Sequence, residues 1–446
     1  MSKSSTWIEK WEPESESFWK EKASKIAWRT LTITTIALVL SFATWFMMSA
    51  IVVRLPQIGF KFDTMQLFWL TAMPGLAGGS LRIVHTFLIP IIGTRHVITI
   101  ATFLKLIPCI GIGLAILNPE TPFWLFLILA FSAGFGGGDF SSFMPSTSVF
   151  FPKRLQGTAL GIQAGIGNFG VSLAQFVTPW IIGFVLFGFM GGSQTYTRAE
   201  VVKPIWLQNA ALIYIPFLLI MGVLAWIYLR SVPIKASFKE QLDIFKNKHT
   251  WFCTVTYVMT FGSFSGFAAA FPLLIKTIYG HFPNAPDPLA YAFLGPLIGS
   301  IIRVISGPIS DKIGGAIMTH VVGIGLILCS LVMAFTGLLT PTSLDQFPLF
   351  VGLMLLIFFL TGVGNASTFR QYPIIFSHSP RQGAGVLGWA AAVAAYGPFI
   401  FATLIGLVIT NTGSAIPFFI GIAAYYTIAT GINWWYYTRK GCEKPS

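Results

Sequence analysis

Apolar runs long enough to cross a bilayer alternate with short polar breaks along almost the whole of the 446-residue chain. A helical span needs about 20 mostly apolar residues, because each adds 1.5 Å of rise. Such runs fall near 31–56, 66–91, 97–117, 121–151, 155–188 and 205–230. Six more follow near 250–278, 289–310, 315–340, 346–377, 382–411 and 414–438. The pattern predicts an all-α membrane protein with twelve transmembrane helices. The longest polar break, Arg230–His249, divides them six and six. Within it Ser237-Phe238-Lys239-Glu240 has the form of a capping box, and Phe238, Leu242 and Phe245 share a face. That predicts a short amphipathic helix under the bundle. Residues 1–30 set Trp11, Phe18, Trp19 and Ile26 among Glu and Lys, which predicts an interfacial helix on the membrane and no cleaved leader. The expected organisation is an interfacial segment 1–30, a six-helix bundle 31–230, a linker 231–249, a second bundle 250–438 and a tail 439–446.

An internal repeat relates the two halves. Arg82 precedes Gly93 by eleven residues, and Arg303 precedes Gly314 by eleven. Gly138 and Ser141-Ser142-Phe143 in the fourth span are echoed by Gly364 and Ser367-Thr368-Phe369 in the tenth. Repeated six-span halves are the pattern of transporters that rock about a midplane site.

Composition agrees with a membrane chain, since 10% of residues are charged against about 25% in soluble proteins. The net charge of +13 raises the question of nucleic acid, and the placement of the charges answers it. With the N-terminus inside, cytoplasmic loops hold Arg95, Lys153, Arg154, Lys312, Arg381 and Arg439 together with the basic terminal and linker segments. The outer loops hold Lys61, Arg198 and Lys203, with Arg54 and Lys276 near helix ends. The asymmetry is a topology signal facing anionic lipid, with both termini cytoplasmic and no nucleic acid as partner. Cys109, Cys253, Cys329 and Cys442 have no CxxC spacing and read as buried thiols, with no disulfide, metal or cofactor site. No Walker loop, HExxH or dinucleotide fingerprint occurs, so the chain does not read as an enzyme.

The stretch Gly134–Gly170 joins two glycine-studded segments through the basic turn Pro152-Lys153-Arg154. Gly157, Gly161 and Gly165 recur every fourth residue, which predicts a helix face suited to close backbone approach. Asp139, Phe140 and Asn168 stand out among the small residues, and the pair of helices reads as one wall of a translocation path.

A charge in hydrocarbon costs at least ~2.5–3.5 kcal/mol. Arg82 and Arg303 both lie roughly 12–15 Å from the cytoplasmic end of their helices at 1.5 Å per residue. The repeat brings them to facing sites, and two planar donor forks across a cavity make a receptor for a small anion, most simply a planar oxyanion. Lys105 in the third span lacks a repeat partner and reads as structural. Arg370 follows the tenth-span echo and is open between an exit-path and a structural role, and His85 reads as a packed neutral histidine near Arg82. Tyr257 and Phe261 share a helix face ahead of Gly262-Ser263-Phe264-Ser265-Gly266, a small, polar run suited to lining a pore.

These residues resemble the nitrate/nitrite porters of the major facilitator superfamily, the NarK type. The resemblance rests on Arg82 in LRIVHTFLIP, Arg303 in SIIRVISGPISDKIGG, and GFGGGDFSSFMPSTSVFFPK with GTALGIQAGIGNFGVSLAQ. TGVGNASTF in the tenth span looks like the start of a second signature. It implies the major facilitator fold of two pseudo-symmetric bundles and the movement of nitrate and nitrite across the inner membrane by a monomer. It also implies that Phe140 and Phe261 sandwich the anion while Asn168 and Tyr257 contact it. Asp139 and Gln163 stand where the family carries asparagine, which places a titratable acid beside the inferred site. Nitrate/nitrite exchange is the expected mode. Proton-coupled symport through Asp139, a facilitator of another small monoanion, and a nitrate receptor are the alternatives.

Overall fold

The computed structural model describes residues 6–198, 201–232 and 242–446. It is built of long helices, here α1 (Ser24–Ile51), α2 (Thr64–Ile92), α3 (Thr94–Ala115), α4 (Phe123–Phe150), α5 (Lys153–Ile181) and α6 (Asn209–Tyr228). The second set is α7 (Lys248–Tyr279), α8 (Pro288–Ile313), α9 (Gly315–Phe335), α10 (Phe347–Ile375), α11 (Arg381–Thr412) and α12 (Ile416–Thr438). Eleven of them are long and apolar enough to span a membrane on composition alone. The exception is α5, which is 29 residues long but carries Gln156, Gln163, Asn168 and Gln175 along with its glycines. Its polarity is the price of lining the interior.

Several helices are interrupted where chemistry is needed. The turn at Lys105 breaks α3, turns at Gly134 and Asp139 break α4, and a π-helical turn at Val258–Gly262 widens α7. Such insertions turn side chains out of the regular helical register.

Two elements differ from the sequence reading. A β-hairpin, β1 (Gln194–Arg198) against β2 (Val201–Ile205), fills the loop between α5 and α6, and α6 begins at Asn209. The alternation in QTYTR and VVKPI is too short to stand out among long apolar runs. The N-terminal segment packs its aromatic side chains on protein. Trp19 is buried against Phe151, Trp11 lies edge-on to Phe150, and the Trp11 Nε1 donates to the Val149 carbonyl at 3.0 Å. Of the predicted linker helix, 233–241 fall outside the described residues, and Leu242–Lys246 forms a 3-10 helix.

The described residues nearest the two ends lie on one face. Trp7 bridges to Ser231 beside the linker, and the Glu443 carboxylate accepts from Lys248 at 2.7 Å. On the opposite face the hairpin straps the first six helices to the loop before α8. Arg54 pairs with Asp287 at 2.5 Å, and Arg198 donates to the carbonyls of Ala285 and Pro286. Lys276 donates to the Val53 carbonyl at 2.6 Å. The two halves are thus tied on the hairpin face. Towards the face with the termini they part: a Cβ at Gly165 of α5 would meet Val304 of α8 at 2.6 Å, whereas Gly157, Gly161 and Gly307 have nothing within 4 Å. The glycines that do pack closely are Gly167 and Gly170, against Leu38 and the Val39 carbonyl of α1. The stripe expected to make a close contact instead faces open space for two of its three members.

Candidate anion-binding site

Arg82 is fully buried in α2. The run GFGGG explains how its charge is accommodated. A Cβ at Gly136 would meet the Ser41 carbonyl at 2.1 Å, and one at Gly137 the Cα of Gly78 at 2.7 Å. Any larger residue would push α4 away from α1 and α2. With glycine there, the Gly137 carbonyl accepts from Arg82 Nε at 2.8 Å. Arg82 Nη1 donates across the molecule to the Ala391 carbonyl of α11, also at 2.8 Å, and Nη2 has no partner. The guanidinium carbon lies 4.8, 5.2 and 5.3 Å from the ring centres of Phe140, Phe261 and Trp45.

Arg303 of α8 is 6% exposed, and neither Nη1 nor Nη2 has a partner. Its guanidinium carbon lies 4.7 Å from the ring centre of Phe369. The aromatic rings connect the two arginines. Phe261 stacks on Tyr257 at 5.5 Å and 6°, and Tyr257 stacks on Phe369 at 5.3 Å and 18°. This three-ring ladder has Arg82 at one end and Arg303 at the other. The Tyr257 hydroxyl is buried beside the Arg303 guanidinium without a well-formed hydrogen bond, and within electrostatic reach of both guanidiniums. Asn168, three residues beyond the Gly165–Val304 contact, is buried with both amide atoms unpartnered.

The structure therefore brings Arg82, Arg303, Phe140, Tyr257 and Phe261 together, with Asn168 one helical turn from the contact of α5 with α8. Phe140 and Phe261 both flank the guanidinium of Arg82. Trp45 and Phe369 complete the rings, and the sequence reading assigned neither to the site. A repeat echo marked Phe369, but nothing in the sequence distinguishes Trp45 from an interfacial tryptophan. Native interiors leave very few buried polar groups unpaired. Here Arg82 Nη2, Arg303 Nη1 and Nη2, the Tyr257 hydroxyl and the Asn168 amide supply donors with no acceptor. These are groups that an anion with several small oxygen acceptors would satisfy.

Asp139 is placed differently from expectation. Its carboxylate turns to Lys105, with Nζ to Oδ2 at 2.5 Å and both side chains fully buried. Ser41 donates to the same oxygen at 2.6 Å, and Lys105 also donates to the Ala101 carbonyl. Lys105, read as structural because it lacks a repeat partner, is the counter-ion, so the Asp139 charge is matched within its own half rather than by Arg82. His85 sits with this pair: its Nδ1 is 2.9 Å from Ser142 Oγ and 3.8 Å from Asp139 Oδ1. Arg370 is exposed and pairs with Asp311 at 2.5 Å, the aspartate of GPISDKIGG in the last turns of α8. All four cysteines are free and buried.

Among the described residues, twelve long helices tied in two sixes around paired buried arginines define a multi-pass transporter. Residues 34–371 match the Major Facilitator Superfamily. Two solved structures share the fold: the nucleoside transporter NupG, with TM-score 0.60, 13% identity and coverage of 92% of this chain and 98% of that one, and a bacterial homolog of the human lysosomal transporter Spinster, with TM-score 0.60, 15% identity and coverage of 93% and 97%. Over 99% of its length this chain is 62% identical to a Thermus thermophilus protein described as a probable nitrate/nitrite antiporter, NarK2, of which it covers 98%. It is 36% identical to the Escherichia coli nitrate/nitrite transporter NarU, with 96% of each chain covered. The chain belongs to the major facilitator superfamily and, within it, to the NarK-type nitrate/nitrite porters.

Proposed function

We propose that this chain carries nitrate and nitrite across the inner membrane by alternating access, exchanging one for the other. The halves 31–230 and 250–438 rock about Arg82 and Arg303, with both termini cytoplasmic and a single chain as the working unit. The observation that carries the reading is the pair of buried guanidiniums with unsatisfied nitrogens at the two ends of one aromatic ladder. A planar monoanion fits between forks that each present parallel N–H donors. Phe140 and Phe261 narrow the cleft to a flat ligand, while Tyr257 and Asn168 supply further donors.

Exchange follows from charge. Closing the halves over an empty site would bury two cations without an anion, and an uncompensated buried charge costs about 3–5 kcal/mol. The loaded carrier escapes this, so an anion is needed in each direction. The Lys105–Asp139 pair supports exchange over proton symport, because it is neutral by itself and lends no charge to the empty site. Counterflow in proteoliposomes tests the proposal. Labelled nitrate should enter vesicles loaded with nitrite and should fail to enter vesicles without internal anion, whatever pH gradient is imposed. Proton-driven uptake into nitrite-free vesicles would establish symport. Stronger competition by formate or a short carboxylate than by nitrate would establish another monoanion as cargo.

A further inference from the structure

Asn365 of α10 is fully buried, and neither its Nδ2 nor its Oδ1 has a hydrogen-bond partner. An amide buried in this way costs on the order of 1–3 kcal/mol, so its retention calls for a ligand or a partner. Its direction follows from its neighbours along the helix. Seven residues earlier, Phe358 meets Phe264 of α7 and lies against Gly295 of α8. Four residues later, Phe369 stacks on Tyr257 and lies over Arg303, and seven later Tyr372 meets Tyr257 edge-on. Positions spaced by three, four and seven share one helix face. Asn365 therefore faces the junction of α7 and α8. In height it falls between the contacts at Phe264 and at Tyr257, the level of Phe261. Gly364 next to it touches Thr260, the neighbour of Phe261.

We propose that Asn365 contacts the anion and sets the preference of the carrier for nitrate over nitrite. This rests on the nitrate/nitrite reading above and goes beyond it, since Asn365 is not one of the residues to which the resemblance gives a role. Both anions present two oxygens to the arginines, and nitrate alone has a third. The amide N–H of Asn365 donates to that oxygen. Its carbonyl is free to accept from the Tyr257 hydroxyl or a terminal Arg303 nitrogen, neither of which has a well-formed hydrogen bond. Asn168 offers an amide from the first half, so the anion is read by one asparagine from each side.

The test compares wild type with Asn365→Leu, which keeps the branched outline with greater bulk and removes both polar atoms, and with Asn365→Ser, which keeps one donor. KM and kcat are measured for external nitrate and for external nitrite against internal nitrite, after equal reconstitution. Asn365→Leu should raise the nitrate KM about 10-fold, and the nitrite KM less than about threefold, with kcat retained. Asn365→Ser should fall between. If Leu disturbs insertion, the serine variant alone must still shift the nitrate-to-nitrite KM ratio. An unchanged ratio in the variants that insert overturns the inference while leaving the nitrate reading intact. Wild type that exchanges neither anion overturns both.

Discussion

The repeat places Asp139 of α4 and Asn365 of α10 at equivalent positions, each directly after the paired Gly138 and Gly364. Their surroundings differ. Asp139 is matched by Lys105, twelve residues beyond Gly93, whereas the position twelve beyond Gly314 is the buried Leu326. The next echo diverges in the same way: the Phe143 ring lies 5.9 Å from Lys105 Nζ, and the Phe369 ring lies 4.7 Å from the Arg303 guanidinium. In the first half Lys105 and Asp139 answer each other, and Arg82 is braced by the carbonyls of Gly137 and, across the molecule, Ala391, which leaves its Nη2 and the Asn168 amide open. In the second half Asn365 and Arg303 are left free. The first half is the more fixed, with its fourth-span acid and one arm of its arginine tied down, and the second is the more open, with both Arg303 terminal nitrogens and the equivalent amide free. A transporter whose empty state must stay unfavourable to close benefits from that division, because the unsatisfied groups are concentrated where the anion binds.

The largest effect should come from the open half. Arg303→Lys keeps the charge and loses the fork, and a charge-assisted hydrogen bond is worth about 1.5–3 kcal/mol, so counterflow should fall about 10- to 100-fold. Near-normal counterflow would show Arg303 to be a structural cation and would end the comparison. In the fixed half, Asp139→Asn alone strands the Lys105 ammonium in a dry interior and should destabilise the protein by about 3–5 kcal/mol. The double variant Lys105→Met with Asp139→Asn removes both charges and makes this half resemble the other. Its thermal midpoint in detergent should return close to wild type, and nitrate/nitrite exchange with it. A stable double variant that has lost a pH-gradient response present in wild type would instead make Asp139 a coupling residue.

Much of this division was legible from sequence. Hydropathy gave the twelve helices, and the spacing of Arg82 from Gly93 and of Arg303 from Gly314 marked the repeat and with it the paired cations. Resemblance supplied Phe140, Asn168, Tyr257 and Phe261. The partner of Asp139 was not legible, because α3 and α4 are packed side by side by long-range contacts that leave no local pattern. Lys105 was passed over for a related reason: it has no echo in the second half, and an echo was the guide to function. Asn365 lay inside a motif already noted, TGVGNASTF, but a polar residue among glycines does not reveal whether its amide finds a partner. The packing of the Gly157, Gly161 and Gly165 face was misread, since regular spacing does not distinguish a face that packs from one left open.

A smaller effect is expected within the ladder that joins the halves. Tyr257→Phe preserves the stacking on Phe261 and Phe369 and deletes only the unpartnered hydroxyl. The KM for nitrate should rise about 2- to 10-fold, the worth of one hydrogen bond of 0.5–1.5 kcal/mol, while kcat and thermal stability stay near wild type. Tyr257→Ala, which also breaks the ladder, should cost more and should lower kcat. Equal effects of the two substitutions would mean that the hydroxyl, and not the continuity of the rings, couples Arg82 to Arg303.

The smallest effect should lie at the clasps on the face with the termini, where the halves are again treated unequally. The Glu14 carboxylate accepts from the Lys153 backbone N–H at the start of α5, at 2.9 Å. At the corresponding start of α11 the clasp is Asp243, bonded to Arg381 and Gln382. Hydrogen bonds from Arg381 and Gln382 hold the Asp243 carboxyl below the usual carboxylate range. A carboxyl depressed in the folded state adds stability above its unfolded value, and that contribution disappears as pH falls through the folded value. The clasp is therefore fully formed at neutral pH and opens only in acid. Because it is a partly exposed pair at the surface, Asp243→Asn should change the exchange rate less than about twofold at neutral pH. The acid side of the rate profile should show the difference between wild type and variant shrinking as pH falls, since protonated Asp243 and asparagine are equally neutral. A difference that grows in acid would place the titrating group elsewhere.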